Sequence, residues 1–264
     1  MELNTEKMRA YVETGIGWVV FNNPTRHNAV SLDMWRALAL ILDSFHRDPN
    51  VSVVIMKGEG DKAFVSGADI SEFDAKRSGI EQKRDYAEAT GHAHRWLEKM
   101  GKPLIAMIQG YCIGGGLAIA MKADIRFTTT DSKFGIPAAK LGLGYEMDGL
   151  KTLCELVGPA RAKDMMFTAR LMDSRESYQI GLVDFVVDKD SIEDRVKEYA
   201  NTICNNAPLT VRAAKEAINE IYKDAGERDS ARIQSMIDRC FDSEDYREGR
   251  LAFKEKRPAR FKGN

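Results

Sequence analysis

A cluster of glycines near the middle of the chain is the first feature that could do chemistry without a side chain. Gly110 is followed by Gly114, Gly115 and Gly116, and small apolar residues occupy positions 117–121. One interpretation is a close contact between a helix and a strand. The other is a loop whose free backbone N–H groups lie at a helix N-terminus, where they stabilise negative charge.

Other catalytic motifs fail on their spacing. The glycine cluster has neither the G-x-G-x-x-G spacing of a dinucleotide fold nor the Gly-Lys-Ser/Thr ending of a P-loop. Ser66 is not in a nucleophile elbow, because Phe64 stands where that turn needs glycine. His92 and His94 would point in different directions on a helix, and the four cysteines form no C-x-x-C pair. We therefore expect reduced cysteines and no metal site.

Composition and charge exclude several classes of protein. The 264 residues include 44% hydrophobic and 30% charged residues, which argues against disorder and against a disulfide scaffold. Thirty-nine basic and 40 acidic side chains leave a net charge of −1, so the surface as a whole is not that of a nucleic-acid or membrane binder. The first ten residues lack the apolar region of a secretory signal, and we expect a cytoplasmic protein.

The first two thirds of the chain alternate between strand and helix patterns. Apolar and β-branched runs predict strands at 18–21, 51–56, 63–65, 104–108 and 125–127. Helical spacing follows Ser31, and a polar, helix-prone segment covers 80–100. Strands separated by helices predict an α/β fold around a largely parallel sheet.

The last hundred residues have a different pattern. Helical periodicity covers 160–169, 174–180, 191–206, 209–223 and 229–241, and one predicted strand interrupts it at 181–187. We place a boundary near residue 200. Residues 1–200 would form the core, and residues 201–264 a helical segment for oligomerisation or covering.

Three motifs, the first two at the right separation, resemble signatures of the crotonase superfamily, the enoyl-CoA hydratases and isomerases. They are KAFVSGADI at 62–70, GYCIGGGL at 110–117 with ADI at 123–125, and FGIP at 134–137 followed by LG at 141–142. Residues 23–29, 207–208 and 253–261 extend the resemblance over almost the full chain. It implies a crotonase-like ββα spiral core, a C-terminal trimerisation region, and a homotrimer or dimer of trimers.

The resemblance also implies a substrate and a site. The substrate is an acyl-CoA, with no cofactor beyond its coenzyme A moiety, and its thioester oxygen would lie between the backbone N–H groups of Ala68 and Gly115. An enolate forming there would be stabilised by both donors. The implied substrate-binding residues are Arg26, His27, Ala29, Ser66, Gly67, Asp69, Ile70, Gly114, Lys256 and Arg257.

The sequence departs from the hydratase pattern at two positions. Hydratases of this family use two glutamates to deliver water, and these fall at Ala118 and Ala138 here. Neither alanine transfers a proton, and acid–base help is worth roughly 10²–10⁴-fold per group. The departure disfavours efficient conventional hydration. It also leaves open a family member that binds a CoA thioester or RNA without catalysis.

Two nearby polar residues are the candidates for handling a proton. Tyr145 falls where methylmalonyl-CoA decarboxylases carry a tyrosine, although Ala68 replaces the histidine that this branch has at its first oxyanion position. Glu146 falls where dienoyl-CoA isomerases carry an aspartate, and we expect Leu143 and Met147 to surround it with apolar groups. The alternatives are a packed tyrosine ring and a solvated carboxylate near a helix start.

The C-terminal tail is basic. Residues 251–264 carry five basic side chains and one carboxylate, a net charge of +4. This pattern is compatible with a solvated helix end, and the resemblance suggests binding of CoA phosphates by residues such as Lys256 and Arg257. One short basic segment gives little support to nucleic acid.

Overall fold

A computed structural model of the protein describes residues 3–69 and 80–264. The strands in these ranges are β1 (Met8–Glu13), β2 (Ile16–Phe21), β3 (Val53–Gly58), β4 (Ala63–Val65), β5 (Leu104–Ile108), β6 (Tyr111–Ile113), β7 (Ile125–Thr129), β8 (Lys133–Gly135), β9 (Met172–Asp173) and β10 (Phe185–Val187). The helices are α1 (Leu32–Arg47), α2 (Ile80–Lys99), α3 (Gly115–Met121), α4 (Met147–Thr168), α5 (Ser174–Gln179), α6 (Ile192–Cys204), α7 (Pro208–Ile221), α8 (Ser230–Asp242) and α9 (Glu244–Glu255).

The larger sheet has the strand order β1-β2-β3-β5-β7-β10. Only β1 runs antiparallel to its neighbour in this sheet, and the other strands pair in parallel. The predicted α/β class with a largely parallel sheet is therefore confirmed.

Both faces of this sheet are covered by helices. Along β2, Ile16 and Trp18 belong to the apolar cluster that includes α6, whereas Val19 and Phe21 belong to the cluster that includes α1. This alternation follows from the opposite directions of successive side chains in a strand. All four are almost fully buried, and burial of a side chain of this kind contributes about 1.5–3 kcal/mol.

The second, smaller sheet carries the segments that matter for the site. Its order is β4-β6-β8-β9, with β4, β6 and β8 parallel. The carboxyl ends of parallel strands lie at one edge of a sheet. The segments that follow β4 and β6, which contain Ala68 and Gly114, therefore leave the sheet side by side.

Several expected boundaries move in the structure. The strand predicted at 51–56 begins at Val53, because Val51 N closes a turn on Asp48 O at 3.1 Å. The strand predicted at 181–187 shortens to β10, because the N–H groups of Leu182 and Val183 bond back to Ser177 O at 2.9 and 3.3 Å. The helix expected at 160–169 is the second half of α4, which kinks at Gly158 (φ 76°).

Short or half-exposed elements were absent from the sequence prediction. They are β1, β6, β8, β9, the first half of α4 and the whole of α9. A capping signal marks α9, since Ser243 Oγ accepts the Tyr246 N–H at 3.0 Å.

The C-terminal helices leave an apolar groove on the monomer. It has a volume of about 840 Å³ and is lined by α7, α8, α9 and Phe261. Phe253 is 88% exposed and Phe241 is 59% exposed on these helices. The separate oligomerisation segment at 201–264 stays a prediction. None of the described helices is long and apolar enough to cross a lipid bilayer.

Close packing of α3 on β4 gives a stability prediction. A Cβ on Gly116 would lie 2.0 Å from Val65 O and 2.7 Å from Val65 Cβ. Overpacking of this kind costs about 1–3 kcal/mol or more. We expect Gly116→Ala to lower the free energy of unfolding, measured by urea denaturation, by about 1–3 kcal/mol or more.

The matched control is Gly226→Ala. A Cβ at Gly226 would meet nothing within 4 Å, and we expect a change within about 0.5 kcal/mol. Equal urea midpoints for the two variants would contradict the close-packing argument.

Candidate active site

Ala68 lies in an extended segment three residues beyond the end of β4. Val30 N donates to Gly67 O at 2.8 Å, and Asp69 N donates to Val30 O at 3.0 Å. These two bonds use the groups on either side of Ala68, as in a parallel bridge. The Ala68 N–H therefore faces away from Val30, and it has no backbone acceptor within residues 3–69 and 80–264.

Gly115 begins α3, directly opposite this segment. The first N–H groups of a helix have no partner within the helix. The preceding Gly114 has φ 54°, and its own N–H donates to Gly135 O at 2.9 Å. A Cβ on Gly115 would lie 3.8 Å from Ala68 N. The structure thus brings together the two backbone segments that the resemblance implied.

A cavity of about 810 Å³ opens beyond the first turn of α3. Its walls are α2, α3 and the start of α4. Ala118, three residues after Gly115, is part of the wall and presents a methyl group to the cavity. Ala138 is different, because it belongs to the buried apolar core in the 3₁₀ turn Pro137–Leu141.

Tyr145 and Glu146 both line this cavity. The Tyr145 ring lies against Gly149, since a Cβ on Gly149 would be 3.0 Å from Tyr145 Cε1. Burial raises the pKa of Tyr145, so its hydroxyl keeps its proton at neutral pH and can donate a hydrogen bond.

Glu146 is exposed at the N-terminal boundary of α4. Leu143 and Met147 are 54% and 83% exposed. The expectation that these apolar side chains enclose the carboxylate is therefore wrong. Residue 147 is the first of α4, and its side chain points to solvent rather than over Glu146.

The N-terminal loop is tied to the segment before Ala68. Ser66 Oγ donates to Arg26 O at 3.3 Å, and Ser66 N donates to His27 O at 3.1 Å. Ala29 is buried, and its carbonyl accepts the Asn23 side-chain amide at 3.0 Å. The predicted substrate-binding residues 26, 27, 29, 66, 67 and 69 thus form one connected region. Ile70 lies outside the described residues.

His27 faces a second cavity, of about 420 Å³, beside this region. Its ring centroid lies 6.2 Å from that of Tyr111. The other lining side chains include Lys62, Lys133 and Lys189. Lys189 is bound to Asp61 at 2.7 Å, and this partner raises the pKa of the lysine.

The predicted tail residues lie elsewhere in the monomer. Arg257 pairs with Glu248 at 2.6 Å and with Glu255 at 2.6 Å, and it lines a separate cavity along α9. Lys256 is exposed with φ 54° at the end of α9. Neither residue is brought to the cavity of Ala118 and Tyr145, and binding of CoA phosphates by the tail stays a prediction.

Sequence reasoning missed the α2 wall of the cavity. Tyr86, Thr90, His94 and Glu98 recur every four residues and line it together. This spacing places the four side chains on one face of a helix, and it was the signal in the sequence that could have indicated the wall. Burial, then the charge of Lys122, lowers the pKa of His94, so its imidazole is neutral at pH 7.

Comparisons with known proteins place the chain in a family. The family model described as enoyl-CoA hydratase/isomerase matches residues 12–264. The chain belongs to the enoyl-CoA hydratase/isomerase family. The matched residues include the segments of Ala68 and Gly115 and the residues that line the cavity of Tyr145 and the cavity of His27.

Individual relatives agree with this membership. The chain is 35% identical to a short-chain-enoyl-CoA hydratase of Clostridium acetobutylicum over 257 residues, 97% of each protein. It is 34% identical to a crotonyl-CoA hydratase of Syntrophomonas wolfei, over 94% of this chain and 95% of that protein. A crystal structure of an enoyl-CoA hydratase/carnithine racemase from Magnetospirillum magneticum has a TM-score of 0.91 and 34% identity, covering 99% of this chain and 97% of that one. The family resemblance and the crotonase fold are confirmed.

The anchoring of the tail by Glu248 gives a testable prediction. Glu248 accepts from Arg257 and from the Arg260 N–H at 2.8 Å, and these partners lower the pKa of Glu248 to about 2. A carboxylate with a depressed pKa stabilises the folded state at every pH above its ordinary pKa. This stabilisation is lost only as the pH falls towards 2. We expect Glu248→Gln to speed hydrogen exchange in residues 256–264 at pH 7.

The control variant is Glu227→Gln, in the exposed 3₁₀ turn before α8. It should leave exchange in the tail unchanged. A Glu248→Gln protein with the same tail protection as the parent would show that other contacts hold the tail.

Proposed function

We propose that the thioester oxygen of an acyl-CoA binds between the N–H groups of Ala68 and Gly115, and that the reaction proceeds through the enolate that they stabilise. The observation that carries this proposal is how close Gly115 lies to Ala68: a Cβ placed on Gly115 would be 3.8 Å from Ala68 N. The Ala68 N–H is turned away from Val30. Donors held in place before the reaction stabilise developing charge without reorganisation.

The substrate class follows from the family and the cavity. Family members act on acyl-CoA thioesters, and the relatives named above are hydratases of enoyl-CoA. The cavity beyond Gly115 accommodates the acyl group, and the connected loop of Arg26, His27 and Ser66 flanks the thioester end. The chemistry uses no cofactor beyond the coenzyme A of the substrate.

Tyr145 and Glu146 are the proposed proton-handling groups. Both line the acyl cavity, whereas Ala118 offers only a methyl group there. In hydration of an enoyl-CoA the water oxygen adds to the β-carbon and a proton is delivered to the α-carbon of the enolate, and in double-bond isomerisation a proton is removed from the α- or γ-carbon and returned to the other. A reaction of this class, with a relocated acid or base, fits the side chains that face the cavity.

Decarboxylation of a methylmalonyl-type CoA is a second candidate. The observation that favours it is the protonated Tyr145 hydroxyl in a cavity wall where Ala118 stands at a position that the resemblance implies for a hydratase glutamate. Loss of CO₂ generates the enolate itself, so no base is needed. A neutral hydroxyl hydrogen-bonds the carboxylate before CO₂ leaves, or donates its proton to the enolate afterwards.

Removing one N–H donor tests the backbone site. We expect Ala68→Pro, which has no N–H, to lower kcat about a hundredfold or more, equivalent to ~3 kcal/mol. Ala68→Gly retains the N–H and should stay within about tenfold of the parent. Circular dichroism checks that both variants fold. Equal activity of the proline and glycine variants would exclude an N–H role for Ala68.

Side-chain roles are tested with crotonyl-CoA, a dienoyl-CoA and methylmalonyl-CoA as alternative substrates. We expect Tyr145→Phe or Glu146→Gln to lower turnover of the accepted substrate by roughly 10²–10⁴-fold. The controls are the exposed Tyr178→Phe and Glu155→Gln. Turnover that survives both test variants would contradict the assignment. Tight CoA binding without turnover of any substrate would favour a non-catalytic binding protein.

A further inference from the structure

The far end of the acyl cavity is lined by hydrogen-bonding side chains rather than by a hydrocarbon wall. α2 presents Thr90, His94 and Glu98 on one face, and α3 adds Lys122. Thr152 of α4 completes this group. These five residues form the polar end of the cavity.

Lys122 holds the polar end together. Its Nζ donates to Glu98 Oε1 at 2.7 Å and to Thr152 Oγ1 at 3.0 Å, and its side chain is only 16% exposed. An ammonium group has three N–H donors, so these two bonds leave one for a group inside the cavity. Glu98, by contrast, is 52% exposed and lies on the solvent side of the pair.

Two further groups of the polar end have unused hydrogen-bonding capacity. Thr90 Oγ1 is buried and has no hydrogen-bond partner among the described residues. The neutral His94, whose ring centroid lies 5.3 Å from that of Trp35, has one N–H donor and one acceptor. Buried polar groups are normally satisfied. A lysine N–H, a threonine hydroxyl and an imidazole N–H around one space can all donate to a single acceptor group.

The length of α3 sets the distance between the two ends of the cavity. Gly115 and Lys122 are seven residues apart, or about 10 Å along a helix. The polar end therefore lies about two helical turns from the backbone N–H group of Gly115.

We propose that the cavity selects acyl-CoA thioesters whose acyl chain ends in a carboxylate, bound by Lys122 and Thr90. This inference rests on the proposed function, since it takes Gly115 as the thioester end. Charge near the polar end permits it, because Lys122 and the neighbouring Arg95 line the cavity together with one nearby acid, Glu98. The remaining acids of the wall, Glu146 and Asp148, lie on α4 and its approach and are exposed.

The test is calorimetric binding of glutaryl-CoA and valeryl-CoA to the full chain. Both acyl groups have five carbons and no double bond, and they differ only in a terminal carboxylate or methyl group. A hydrogen bond to a charged group corresponds to at least about a tenfold change in affinity. We expect glutaryl-CoA to bind at least about tenfold more tightly than valeryl-CoA.

Variants identify the residues responsible. Lys122→Met should bring the ratio of the two affinities close to one while valeryl-CoA still binds, and Thr90→Val should reduce the ratio in part. Lys151→Met, at an exposed position of α4, should keep the parental ratio. Thr90→Val preserves shape, so it remains informative if loss of Lys122 unfolds the protein.

The outcomes separate this inference from the proposed function. Equal binding of the two thioesters, tighter binding of valeryl-CoA, or an unchanged ratio in Lys122→Met would overturn the carboxylate selection alone. Failure of both thioesters to bind better than free CoA would overturn the acyl-CoA site as well.

Discussion

The contact of the α3 backbone with the carbonyl of Val65 is the constraint on which the site depends. Gly116 has no side chain, so α3 approaches β4 to a distance at which a Cβ would be 2.0 Å from that carbonyl. This approach sets Gly115 beside Ala68. The parallel pairing of β4 with β6 then holds both segments at one edge of the smaller sheet. The proposed donors are main-chain groups, so the proposed site tolerates changes of side chain around it.

That tolerance explains why family membership and reaction are separate conclusions. The match over residues 12–264 identifies the acyl-CoA enzyme family. In the proposed function, the reaction depends on the side chains that face the cavity, where Ala118 offers a methyl group while Tyr145 and Glu146 offer a phenol and a carboxylate. Where one fold supports many reactions, the side chains at the site determine the function. The proposed carboxylate selection at Lys122 extends the same logic from the reaction to the choice of substrate.

Strongly patterned elements were predictable because their period is local. The buried strands at 18–21, 63–65, 104–108 and 125–127 lie within observed strands, and the C-terminal helical pattern appears as α6, α7 and α8. Strands of three residues such as β6 and β8 carry too little pattern. Turn bonds also override a β-branched run, as the N–H groups of Leu182 and Val183 show by bonding to Ser177. The many charged residues of α9 obscure its helical apolar spacing, although Ser243 caps the helix.

By itself, the sequence determined the family, the parallel α/β class and the two backbone segments at Ala68 and Gly115, because glycine spacing and strand periodicity are properties of neighbours along the chain. Only the tertiary structure decided what surrounds those segments. It placed Ala118 in the cavity and Ala138 in the core, left Glu146 exposed, and bound Arg257 to Glu248. It also brought Thr90, His94 and Lys122 to one space from two helices. Such contacts join residues distant in the chain, and their geometry depends on helix packing that local spacing does not encode.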